Sequence, residues 1–198
     1  MDKKEIGART FLYPMPTVLV GAAVAGKPNY LAVAYIGIAQ HAPPMIAFAM
    51  SKTHHTAAGI RETGTFSVNI PSEEQVAVTD YCGLVSGRRV DKSALFTAFY
   101  GKLATAPMIA ECPLNLECRV VRSLDFGGNN ELLVGEIVAT YAEERFLTNG
   151  LPDIRKIRPI VFSMHDNNYW KVGEHLARAW SVGKTFRPAG NADDSSST

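Results

Sequence analysis

The most restrictive feature of this 198-residue chain is how little separates its first apolar runs. TVLVGAAV (17–24) and YLAVAYIGIAQ (30–40) are rich in Val, Ile, Leu and Ala, and only the turn-like GKPN (26–29) stands between them. Apolar runs bounded by Gly and Pro read as strands. A parallel pair needs a crossover of a dozen or more residues, so strands this close pair antiparallel. Pro43–Pro44 then forces an extended connection into a third short run, MIAFAMS (45–51).

The remaining punctuation continues the pattern. In SKTHHTAAGIRETG (51–64), Thr53 reads as an N-cap, residues 54–63 as a short helix with Ala57 and Ile60 inward, and Gly64 as its stop. TFSVNI (65–70) alternates as a strand that Pro71 ends. SEEQVAVTDYCG (72–83) reads as a helix with Ser72 at its cap, acidic residues in its first turn and Gly83 at its end. A loop with a helical turn spans 84–96. LNLECRVVRSLDF (114–126) and ELLVGEIVATYAEE (131–144), joined by GGNN, form two longer strands, and IRPIVFSM (157–164) is the last one expected. A short helix is predicted over 174–180, and the small polar tail AGNADDSSST is predicted to be disordered. Six or seven strands with few helices between them imply a mainly β (α+β) chain: a closed or nearly closed antiparallel barrel with peripheral helices.

Several function classes are disfavoured. The net charge is +1, and no basic stretch carries interleaved aromatics, so neither nucleic acid nor an anionic membrane is an expected partner. The opening MDKKEIGARTFLYP lacks the apolar core of a signal peptide, and no run reaches the roughly 18 apolar residues of a membrane span. Three cysteines without CxxC spacing indicate neither a disulfide framework nor a zinc site. The expectation is a cytoplasmic protein.

Two stretches imitate phosphate-binding loops. GRRVDKS (87–93) lacks the glycine before its lysine, and SVGKT (181–185) has Arg178 where the first glycine belongs. No GxGxxG follows a strand, and no GxSxG occurs. His54 and His55 could be metal ligands, but helix neighbours point about 100° apart and no further ligand stands at a suitable spacing. Cys82, near a helix end, reads as a small core residue. What remains is an anion site at 51–56: hydroxyls from Ser51, Thr53 and Thr56, the charge of Lys52, and the unpaired N–H groups of a new helix. A capped helix start with a solvated first turn accounts for the same residues.

The order of these segments resembles the flavin reductase-like, FMN-binding split-barrel family, and most closely its flavoredoxin branch. The residues that carry the likeness are 13–35, 42–72, DYCGLVSGRRVDKSALF (80–96), VGEIV (134–138) and YWKVGEHLARAWSVGKTF (169–186). The resemblance implies a single Greek-key-like split-barrel domain over 1–187, with 188–198 as tail, that forms a homodimer and binds FMN non-covalently near the subunit interface. It places Asn29 near the flavin and Ala32, Val33, Ala34 and Tyr35 along the isoalloxazine. Ser51, Lys52, Thr53 and Thr56 fall on the phosphate side, and Lys92 reaches the cofactor. Where some relatives carry a histidine before the VGEI-like strand, this chain has Asn130 or a neighbour, which cannot titrate near neutral pH. No catalytic residue is assigned. The resemblance leaves three functions open: an NADH- or NADPH-dependent flavin reductase, a carrier that holds FMN and passes electrons to a redox protein partner, or a barrel that has lost flavin and serves as a binding module.

Overall fold

The first hairpin is tighter than its sequence predicts. In the computed structural model, which describes residues 1–188, β1 (Met15–Pro16) leads into β2 (Val18–Val24), and the chain reverses at Ala25–Gly26 into β3 (Lys27–Val33). Both turn residues have positive φ, 49° and 77°, which suits a two-residue hairpin to the twist of its strands. Lys27, Pro28 and Asn29 are therefore strand, not turn. Pro28 is accommodated because β3 is an edge strand, where a missing N–H need break no ladder bond.

The run 30–40, expected as one strand, breaks at Ala34–Tyr35 and resumes as β4 (Ile36–Gln40). Then come β5 (Met45–Ser51), α1 (His55–Thr63), β6 (Thr65–Ile70), a 3-10 turn over Glu73–Gln75 and α2 (Val76–Leu84). The small pair β7 (Ala98–Phe99) and β8 (Met108–Ile109) precedes the long strands β9 (Leu114–Asp125) and β10 (Asn130–Ala142). Seven strands form one sheet in the order β3-β2-β6-β9-β10-β5-β4, antiparallel throughout.

That order makes the barrel. The two edge strands, β3 and β4, are consecutive in the chain and separated only by Ala34 and Tyr35. Three residue steps reach at most roughly 11 Å, so the sheet must curl until its edges meet at that corner. The result is a mainly β split barrel whose opening lies beside β3. Its interior is filled from all sides by Val18, Val20, Leu31, Val33, Ile46, Phe48, Met50, Phe66, Val68 and Leu133, with the Phe48 and Phe66 rings 5.1 Å apart edge to face.

Helix α1 packs onto this core with Ala57 and Ile60, as their spacing predicts. Its contact with β2 is so close that a Cβ on Gly59 would lie 2.2 Å from the Ala23 carbonyl oxygen. The helix starts one residue later than expected: His54, not Thr53, is the N-cap, and no side chain caps the first turn. Gly64 ends it in the left-handed region, donating to the Ile60 carbonyl at 2.8 Å. The opposite face of β2 and β3 carries Leu19 and Tyr30, which pack with Cys82 of α2, Ile109 and Cys112. All three cysteines are buried and free. Ser72 and Gln75 form the predicted capping box, but the turn they close is 3-10, and α2 runs past Gly83 to Leu84.

The C-terminal third departs further. β11 (Leu147–Thr148), β12 (Leu151–Pro152) and the four-residue α3 (Ile154–Ile157) were not anticipated. The expected last strand is β13 (Ile160–Ser163), which pairs with β1 on one side and with an additional strand, β14 (Asn168–Lys171), on the other. The helix expected over 174–180 does not form; among the described residues the only regular element beyond β14 is a 3-10 turn at Val182–Thr185. No residue of that stretch is buried, and so short a helix is marginal without a packed face. The predicted tail falls, for residues 189–198, outside the described residues. No helix among the described residues is long and apolar enough to cross a membrane.

Beneath β6 and β9 lies a closed polar network. Asn69 donates to the Leu19 carbonyl and accepts from Ile109 N–H and Asn115, each within 2.9 Å. The wholly buried Glu117 accepts from the backbone N–H groups of Gly101, Lys102 and Leu103 at 3.2, 2.9 and 2.7 Å, and from the Tyr141 hydroxyl at 3.2 Å.

Candidate functional site

The unpaired edge of β3 is the starting point. Residues of an antiparallel edge strand direct both backbone groups alternately to the neighbour and to the open side. The Tyr30 carbonyl points outward, since it accepts from Lys92 at 2.9 Å, so Ala32, two residues on, presents its N–H and C=O to the opening. There, Ala32, Val33, Ala34 and Tyr35 line a groove of about 380 Å3, closed by Ala49, Met50 and Ser51 of β5 and by Phe162 and Met164. Asn130, opposite Ser51 at the start of β10, lies on the same wall.

Leu31 and His54 also line a second cavity of about 250 Å3, which carries the groove on toward the first turn of α1. Its walls are polar: Asn29, Thr53, Thr56, His55, Ser86, Gly87 and Lys92. The buried Asn29 amide donates to the Thr56 hydroxyl at 2.8 Å, tying β3 to α1. The Ser51 and Thr53 hydroxyls bond each other at 2.9 Å across the strand-to-helix turn. Among the described residues no acceptor meets the backbone N–H of His55 or Thr56, the orphan donors of a helix start.

Lys92 is only 2% exposed. Its ammonium donates to the carbonyls of Tyr30 (2.9 Å) and Cys82 (2.7 Å), and it has three donors, so one is uncommitted beside the cavity. Burial pushes its pKa down from the usual lysine value. His54 is likewise held below the usual histidine range, first by desolvation and then by the Lys92 charge. Gly87 is required by space: a Cβ there would sit 2.1 Å from Asn29 Oδ1 and 2.7 Å from the His55 ring. Beyond Gly87 lies a basic recess of about 320 Å3 with Lys27, Arg88 and Arg89, where Lys27 pairs with Asp91 at 3.0 Å.

Nine of the ten residues singled out from the sequence line these two spaces: Asn29, Ala32, Val33, Ala34, Tyr35, Ser51, Thr53, Thr56 and Lys92. Lys52 does not. Its ammonium turns to the β9–β10 hairpin and bonds Asp125 and the Gly128 carbonyl, both at 2.7 Å. The strand-to-helix turn places it on the side opposite His54, so the charge at the polar end comes from Lys92, thirty-six residues beyond Thr56. Sequence reasoning weighed His54 only as a metal ligand and passed over Gly87, Phe162 and Met164. The Ser-Gly turn of VSGRRV offered a signal for Gly87, whereas nothing near Phe162 in the chain marks it.

A curled antiparallel barrel whose open strand edge leads into a polar helix start is a split barrel with a continuous groove along that edge. Residues 9–160 match the flavin reductase like domain, and the chain belongs to that family. It is similar to the crystal structure of flavoredoxin from Methanosarcina acetivorans, at 50% identity and TM-score 0.90, covering 93% of this chain and 98% of that one. Flavoredoxin of Desulfovibrio vulgaris (Miyazaki F) is similar at 37% identity and TM-score 0.86, covering 92% and 100%. An uncharacterized protein of Archaeoglobus fulgidus is 31% identical over 156 residues, 78% of this chain and 86% of that protein.

Proposed function

We propose that this protein is an FMN-binding flavoprotein that exchanges electrons or hydride through the bound cofactor. The observation that carries this reading is the polar end of the groove: a buried ammonium with a donor to spare beside two free helix-start N–H groups. That donor set fits a phosphate monoester, whose charge gains from both the ammonium and the helix dipole. The broad apolar end, walled by small strand residues, fits a flat ring system, with the backbone groups of Ala32 in reach of its polar rim. The likeness to two flavoredoxins supports the same assignment.

In this reading Asn29, Thr53, Thr56, Lys92 and the first turn of α1 hold the ribityl phosphate, and Ala32 to Tyr35 flank the isoalloxazine. Bound FMN supplies the redox chemistry. The chain supplies position and a partly dry environment, and Asn130, Ser51 and the threonines offer hydrogen bonds without titrating near neutral pH. Hydride from NADH or NADPH needs access to one flavin face, whereas electron transfer to a protein partner needs only an approach to the cofactor.

The test is a titration of colourless protein with FMN and with riboflavin, read by fluorescence quenching. FMN should bind at least 10-fold more tightly, because only it carries the phosphate. Equal affinities would overturn the phosphate assignment, and no binding of either would overturn the flavoprotein reading. Oxidation of NADH or NADPH by the loaded protein then separates the reductase from the carrier.

A further inference from the structure

A single phosphate at the first turn of α1 leaves the basic recess beyond Gly87 unused. Four cationic side chains, Lys27, Arg88, Arg89 and Lys92, line it against one carboxylate, that of Asp91, on a chain whose net charge is only +1. Lys27 is paired with Asp91 at 3.0 Å, and Lys92 is turned to the Tyr30 and Cys82 carbonyls. Among the described residues neither Arg88 nor Arg89 pairs with a carboxylate. A tight turn sets the two side by side. The Ser86 carbonyl accepts from the N–H groups of Arg89 and Val90 at 2.9 and 3.1 Å, and the Ser86 hydroxyl accepts from Arg88 N–H at 3.3 Å.

We propose that this recess is a subsite for an adenosine phosphate, so that the polar end of the site takes two phosphoryl groups in succession. The proposal rests on the flavin reading above. Asn29, His55, Gly87 and Lys92 line both the recess and the polar cavity, whereas the recess shares no lining residue with the apolar groove. A ligand that leaves the first phosphate away from the ring system therefore enters the recess. Its volume of about 320 Å3 is that of a small-molecule pocket and exceeds the needs of one inorganic ion. Val24, Ala25, Pro28 and Val90 give it an apolar wall for a heterocycle. Guanidinium groups bind phosphoryl oxygens through paired N–H donors and stack on flat rings, so two unpaired arginines suit both halves of such a group.

Two ligands carry this chemistry. FAD bears an adenylate bonded to the flavin's own phosphate. NADPH bears a phosphate on its adenosine ribose, which NADH lacks. The first would make Arg88 and Arg89 part of the cofactor site, and the second would make them the residues that choose between the two coenzymes.

Equilibrium binding to the double variant Arg88→Ala/Arg89→Ala separates the two without any turnover. Both side chains are exposed, so its thermal midpoint should match the parent. In fluorescence quenching it should hold FMN within about 3-fold of the parent, because Lys92 and the first turn of α1 remain. FAD bound as tightly as FMN by the parent, and about 10-fold more weakly by the variant, assigns the recess to the adenylate of the cofactor. FAD bound poorly by both calls for calorimetry of the FMN-loaded protein with the oxidised coenzymes. NADP+ bound about 10-fold more tightly than NAD+ by the parent, and equally with it by the variant, assigns the recess to the coenzyme. Equal weakening of FMN and FAD would overturn the subsite, since the arginines would then serve the first phosphate alone. Poor FAD binding together with equal NADP+ and NAD+ binding by the parent would overturn it too, as would a variant that matches the parent for every ligand. The flavin reading fails separately, by no quenching with either flavin. In that case ADP bound by the parent and lost in the variant would uphold the subsite, and no ADP binding would overturn it as well.

Discussion

Two buried ionic groups in this molecule are treated differently. Glu117, on β9, has no exposure and is saturated by three backbone N–H groups and a tyrosine hydroxyl. Lys92, 2% exposed, meets two carbonyls and keeps a donor uncommitted beside a cavity. Removing a charge from water costs several kcal/mol unless hydrogen bonds replace its hydration. Glu117 recovers that loss within the fold, and its role ends there. Lys92 recovers part of it, and the remainder is available to an anion. The contrast separates a polar group that holds a loop from one that awaits a ligand.

The largest effect should come from breaking the saturated group. Glu117→Ala removes a buried acceptor of four hydrogen bonds, each worth roughly 1.5–3 kcal/mol to a charged group but not additive, so urea unfolding should show a loss of about 3–5 kcal/mol. FMN affinity of the folded fraction should hardly move. Lys92→Met should show the reverse. FMN affinity falls roughly 10- to 100-fold, about 1.4–2.7 kcal/mol, while two orphaned carbonyls and the relief of a buried ammonium nearly cancel in stability. A large stability loss with unchanged affinity would make Lys92 a brace like Glu117.

Gly87→Ala sharpens the comparison by disturbing the site without removing a charge. The new Cβ lies 2.1 Å from Asn29 Oδ1, so Asn29 must give up its 2.8 Å bond to Thr56. A loss of about 1–2 kcal/mol in stability is expected, together with a several-fold weaker FMN complex in the same quenching titration.

The smallest effect concerns pH. His54 is held below its usual pKa by burial and by Lys92, so between the folded and the unfolded value the unfolded chain binds more protons. Stability from this group is full above about pH 6.5 and declines as pH falls toward the folded value. His54→Gln should flatten the dependence of thermal midpoint on pH between 7.5 and 5.5. A variant as steep as the parent would assign that dependence elsewhere.

Much of the barrel was legible. Runs of Val, Ile and Ala with short spacers specified antiparallel strands, and β5 and β6 occur at the residues expected for them: β5 alternates in burial with period two, which leaves few registers, and β6 is buried on both faces between Gly64 and Pro71. The grouping of candidate residues was legible where local chemistry marked it, since the hydroxyl-bearing Ser51, Thr53 and Thr56 line the two adjoining spaces. Lys52 stands apart from them, although adjacency to those hydroxyls suggested a shared task. The direction of a side chain at a strand-to-helix turn depends on what the turn packs against, here the hairpin that carries Asp125.

The sequence by itself determined the antiparallel β character, a short helix over 54–63, one residue longer than the one that forms, with its Gly64 stop, and the likeness to a flavin family, since these depend on pattern and on the order of short motifs. Only the tertiary structure decided that the 30–40 run breaks at Ala34–Tyr35, that Lys92 reaches back to the Tyr30 carbonyl, and that residues 174–180 form no helix. Each of these is a non-local choice. A strand breaks, a lysine is buried or a helix is abandoned according to what lies across the fold, and local propensities of a few tenths of a kcal/mol per residue are too small to decide it.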